Sequence, residues 1–158
     1  KKQAPIDPTA DWVAYTGTAF SLKYPKTWVM AAHPELCADN ILLLGPNKDS
    51  VGHCGSEGFG EVAFTFSSSH GCFPLDDTYT DKTNLAVTIS GMSGTKETGT
   101  AKATNSEGSG LQPAGTKVVQ YCFNSTNKHY VATYNQQPAY PDVLSDFELI
   151  VTKTLKFQ

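Results

Sequence analysis

The residues of this chain best able to do chemistry cluster around its cysteines. His33 lies near Cys37, His53 adjoins Cys54, His70 lies near Cys72, and His129 follows Cys122 in the same stretch. Imidazole and thiolate are good ligands for zinc or copper, and close spacing can bring both onto one ion. His33, His53, His70 and His129 are therefore candidate metal ligands of a metal-binding or metal-delivery protein, with Zn or Cu as its cofactor. The favoured expectation competes with this one. Four cysteines are an even number, and no C-x-x-C pair occurs among them, as a zinc ribbon would require. Two disulfides are the simpler account, and a disulfide sulfur is no longer a thiolate ligand. Of the three connectivities possible, Cys37–Cys54 and Cys72–Cys122 are expected. The first closes a short loop across a turn-rich hairpin, and the second ties a long loop to a strand.

Other groupings carry less. Asp76, Asp77 and Asp81 crowd carboxylates that can attract a hard cation. The calcium-loop pattern fails, because Lys82 stands where glycine is needed and Thr88 where the bidentate glutamate belongs. Gly55-Ser56-Glu57-Gly58 is not the G-x-S-x-G nucleophile elbow. The glycines of 52–60 lack the Gly-Lys-Ser/Thr ending of a phosphate loop. His70 or His129 beside a nucleophile is the remaining route to a small hydrolase. No catalytic residue is assigned. Asn124-Ser125-Thr126 fits the glycosylation sequon and reads as a polar turn. Tyr121, Tyr130, Tyr134 and Tyr140 can form a ligand-stacking face but are expected in the core and in cross-strand pairs.

Composition sets the frame for these groups. The chain has 158 residues, the size of one domain. Its 12 basic residues are all lysine, against 15 acidic ones, for a net charge of −3. Nucleic-acid and phosphate partners favour a basic surface with arginine forks, so neither is expected. No apolar run approaches the ~20 residues of a membrane span. Disulfides imply an extracytoplasmic setting, at the cell surface or secreted. Residues 1–14, polar and containing Pro5 and Pro8, read as an N-terminal tether ahead of a single domain over 15–158. A signal or anchor removed from before residue 1 is expected to supply any membrane attachment.

The elements that position these groups are mostly strands. Phe20, Leu22 and Tyr24 alternate with Ser21 and Lys23, the period of a half-buried strand that Pro25 stops. Residues 40–44 form a short apolar run expected to be a buried central strand. Residues 61–66 and 85–89 read as two further strands. Residues 95–104 alternate Thr, Glu, Ala and Lys, as an edge strand with solvated charges would. Strands over 117–123 and 129–134 are joined by 124–128 as a hairpin. One helix is expected near the end, where Ser145 and Glu148 fit a capping box and Phe147, Ile150, Val151 and Thr154 recur at helical spacing.

Two of these segments resemble a known family. Phe20-Ser21-Leu22-Lys23-Tyr24-Pro25-Lys26-Thr27-Trp28, preceded by Trp12 and Tyr15, is similar to the opening strand of PsbP-like domains, with its Pro-x-x-Trp turn. Residues 146–157 resemble that family's closing helix and terminal Phe. The resemblance implies an α+β fold, a central antiparallel β-sheet flanked by a few helices in an α/β/α sandwich. It also implies a role outside catalysis, as in extrinsic photosynthetic subunits and bacterial surface lipoproteins. The expected function is thus a non-catalytic extracytoplasmic binding or assembly domain, with an unknown protein or cell-envelope partner.

Overall fold

A computed structural model describes residues 6–32, 37, 40–54, 60–104 and 112–158. Ten strands dominate it: β1 (Val13–Thr16), β2 (Phe20–Tyr24), β3 (Val29–Met30), β4 (Ile41–Gly45), β5 (Val62–Ser67), β6 (Tyr79–Ile89), β7 (Met92–Ala101), β8 (Lys117–Ser125), β9 (Lys128–Gln136) and β10 (Lys156–Phe157). One short helix, α1 (Leu144–Leu149), runs into a single π-helical turn over Ile150–Thr154. All pairings between these strands are antiparallel. They form a seven-stranded sheet of order β3-β4-β5-β9-β8-β7-β6 and a three-stranded sheet of order β1-β2-β10.

The expected α+β sandwich is overturned. Strand accounts for 49% of the structure and helix for 8%, with one short helix where several were expected. The physical reason is that period-2 patterning runs through 79–101 and 117–136, and only 144–154 carries helical spacing. The layers that helices were expected to supply are made otherwise. In front of the large sheet lie the small sheet and α1; behind it lie two irregular segments.

The front layer is an aromatic core. Cross-strand register sets Leu42, Phe64, Ala132 and Tyr121 in one row and Leu44, Val62, Tyr134 and Val119 in the next. Phe147 of α1 is wholly buried above them, its ring centroid 5.5 Å from Tyr134, 6.0 Å from Tyr121 and 6.1 Å from Phe64. Phe20 of β2 reaches Phe64, and Phe157 of β10 sits between Phe123 and Tyr130 at 4.9 and 4.6 Å. Such ring pairs add to area burial. The three hairpin tyrosines Tyr121, Tyr130 and Tyr134 are core residues. Trp28, after the Pro25 turn, is also buried, and its backbone N–H donates to the Pro25 carbonyl at 2.9 Å.

Gly94 sits on this face of β7, opposite Phe123. A Cβ there would lie 2.1 Å from the Cys122 carbonyl oxygen and 2.6 Å from the Phe123 ring, so only glycine fits.

Three local expectations change. The strand read over 95–104 is β7, which lies inside the sheet; β6 is the edge instead. Its charges are used internally: Glu97 is buried, and Lys96 pairs with Glu148 of α1 while lying 5.6 Å over the Tyr121 ring. The capping box does not form either. Glu148 is spent on Lys96, and the helix starts at Leu144, whose N–H donates to Asp142 Oδ1 at 3.1 Å. Finally, β8 and β9 extend inward until only Thr126-Asn127 turns, with Asn127 at φ 62°.

Phe147 is the buried residue of α1 and packs against rings of three strands. We expect Phe147→Ala to lower unfolding free energy by about 3–5 kcal/mol, read as a shift of the urea midpoint.

Candidate functional site

Behind the large sheet, residues 68–78 run as a strap from the end of β5 to the start of β6. The side chains that face this way from β7, β8 and β9 alternate with the core residues and hold the strap in turn. Gly71 lies against Asn124 and His129. Cys72 is joined to Cys122 of β8. Gln120 Nε2 donates to the Phe73 carbonyl at 2.9 Å. The Leu75 N–H donates to Glu97 Oε2 at 3.0 Å, and Asn84 Nδ2 of β6 donates to Glu97 Oε1 at 2.9 Å. The buried Glu97 carboxylate thus ties the strap and the edge strand to β7. Beyond it the Lys102 N–H donates to the Thr78 carbonyl. The strap leaves Phe73 79% exposed on its outer side.

The other half of this face carries a smaller apolar cluster of Ala31, Leu43, Val51 and Ala63. Cys37 and Cys54 are joined beside it. The two pairs are those expected from the sequence, and among the described residues no cysteine is free.

The histidines do not converge. His53 is exposed next to its disulfide, His70 is exposed with Nδ1 2.7 Å from Ser69 Oγ, and His129 Nδ1 is 2.8 Å from Asn124 Oδ1. His33 lies outside the described residues. Among those described, no three His, Cys, Asp or Glu side chains come together as a metal centre. The acidic loop is occupied by its own groups: Asp76 Oδ1 accepts from the Thr78 N–H and hydroxyl, and Lys82 Nζ reaches Asp77 at 3.3 Å. The glycine-rich residues 55–59 lie outside the described residues.

One titratable group stands apart, and the sequence reading passed over it. Glu61, just before β5, is 0% exposed, and neither carboxyl oxygen completes a hydrogen bond. Burial pushes its pKa up from 4.5 to about 7; Ser50 offsets part of this and the charge of Asp142 adds to it. Tyr134 beside it is raised by burial too. The Tyr134 hydroxyl donates to Asp142 Oδ1 at 3.2 Å and accepts from the Val143 N–H at 3.1 Å, which joins this buried corner to the start of α1. The only sequence signal was an acidic residue at the head of an apolar strand. With no exposed surface, Glu61 cannot meet a substrate and acts on stability.

Among the described strands, β6 is the longest and is exposed along most of its length. Ten of its eleven residues are at least partly exposed, and Leu85 is 60% exposed. A bulge between Thr80 and Thr83, with Asp81 at φ 54°, and the adjacent Lys82 blunt its first part. From Thr83 to Ile89 there is no charge and no proline. Natural edges are usually guarded by such residues.

No protein-family model matches the chain, and no curated protein matches it. A crystal structure from Bacteroides thetaiotaomicron VPI-5482 aligns with it at a TM-score of 0.48 and 12% identity, covering 88% of this chain and 45% of that one. The chain spans under half the length of that protein, and the likeness carries no functional argument. No described helix is long and apolar enough to cross a membrane.

Two outcomes follow. Replacing Cys72 and Cys122 together by Ser should cost about 2–4 kcal/mol of stability and speed hydrogen exchange in β6 ahead of β5. For Glu61, the unfolded chain ionises at its ordinary value while the fold holds the proton to about pH 7. Its contribution is therefore most favourable below pH 4.5, declines between pH 4.5 and 7, and is constant above. Glu61→Gln should flatten that decline, gaining about 3 kcal/mol at high pH relative to low, as read from urea titrations across pH.

Proposed function

We propose that this chain is an extracytoplasmic binding or assembly module, secreted or surface-anchored, that acts by docking a protein partner and not by catalysis. The docking mode is strand addition at β6. The observation that carries this reading is the unguarded stretch Thr83–Ile89 on an exposed edge. An edge of this kind offers a row of backbone donors and acceptors to an extended segment of another chain. Apolar side chains on one side of the strand then supply selectivity. Two disulfides suit a protein that matures in an oxidising compartment, and Cys72–Cys122 anchors the strap whose Leu75 shares the Glu97 carboxylate with Asn84 of the edge.

A phage-displayed library of proline-free nonapeptides panned on the protein provides the test. Enriched peptides should alternate apolar and polar residues, and their binding should be lost on Ala86→Pro. An absence of enrichment, or binders indifferent to that substitution, would overturn the reading.

A further inference from the structure

The Ser90-Gly91 turn fixes which backbone groups β6 offers. Ser90 and Gly91 have φ of 49° and 79°, as in a two-residue hairpin turn closing on Ile89 and Met92. That closing pair is hydrogen-bonded, and antiparallel pairs alternate in this respect. Ile89, Val87, Leu85 and Thr83 therefore turn their N–H and C=O groups towards β7. Thr88, Ala86 and Asn84 turn theirs outward.

We infer that the occupant of this edge is a second copy of the chain, paired antiparallel through β6 about a two-fold axis at Ala86. The inference rests on the strand-addition reading above and names the partner. About this axis Ala86 meets its own copy while Asn84 and Thr88 exchange bonds with Thr88 and Asn84 of the other chain. A two-fold perpendicular to the sheet keeps like faces together. On the front, Leu85 then lies opposite Val87, and Thr83 opposite Ile89, in the non-hydrogen-bonded pairs where side chains approach most closely. This covers Leu85, which the fold leaves 60% exposed.

The charges agree. Lys82, already held by the Asp76 carbonyl and Asp77, would face Ser90 of the copy, and Asp81 would face Gly91. No like charges oppose each other. Centring the axis on Asn84 would instead drive the bulge at 80–83 into the ladder, and centring it on Thr88 would lose most of the strand. On the back, Ala86 against Ala86 leaves room for close approach beside the strap.

Sedimentation velocity on the full chain, from ~1 to ~200 μM, reads the equilibrium directly. Wild-type protein should show a reversible dimer. Ala86→Pro removes an outward N–H that the monomer does not use, and Leu85→Lys changes an exposed side chain, so circular dichroism should show both folded. Each should weaken dimerisation by ~10-fold or more. A monomer throughout, or a dimer unmoved by both variants, overturns the inference. If the protein is a monomer whose library peptides still depend on Ala86, the second copy falls and the docking edge stands. If that dependence is missing as well, both fall.

Discussion

The bond between Cys72 and Cys122 is the constraint around which the back of this molecule is arranged. A seven-stranded sheet has two faces to cover, and this chain devotes its small sheet and its helix to the front. The back of β7, β8 and β9 is left to eleven residues without regular structure, which form no ladder of their own. Tying that strap to the middle strand fixes its height above the sheet. Gln120 and Glu97 then meet the Phe73 and Leu75 backbone within hydrogen-bond distance. Glu97 also holds Asn84, so the position of the edge strand descends from the same link. Burying a carboxylate is costly unless its oxygens are occupied, and here the strap and the edge each occupy one.

On the front, Phe147 does from a six-residue helix what longer helices do in other sandwiches. It touches rings from β5, β8 and β9, and the Lys96–Glu148 pair extends the hold to β7. In the same row Tyr121 is buried under Phe147 while Leu85 stays 60% exposed.

Much of this was legible in local pattern. The alternation of Phe20, Leu22 and Tyr24, the apolar run at 40–44 and the helical spacing of Phe147, Ile150 and Val151 all describe elements that form where they were read. The expected cysteine pairing also forms, with a short loop closed by Cys37–Cys54 and a long one by Cys72–Cys122. What misled was reading exposure from composition. Thr, Glu and Lys in β7 look like an edge, yet Glu97 and Lys96 are satisfied by residues far away in sequence, and no local window contains Leu75 or Glu148. The reverse holds for β6, whose apolar Leu-Ala-Val run is paired with β7 on one side and open on the other. The resemblance to PsbP-like domains matched the two chain ends and said little about the hundred residues between, where the layers are decided. The candidate edge was therefore hidden by sheet order, which depends on long-range pairing. Glu61 was hidden because burial is a property of the whole corner formed with Tyr134 and Asp142.

The large sheet is also unequal at its two ends. At the far side from β6 it finishes in β3, two residues long. A template that short holds too few backbone groups to recruit a neighbour, so whatever β6 accepts meets no second opening at the other end of the large sheet. Growth through such a sheet is directional and stops after one step. Of the two ends of the large sheet, one is built to take another strand.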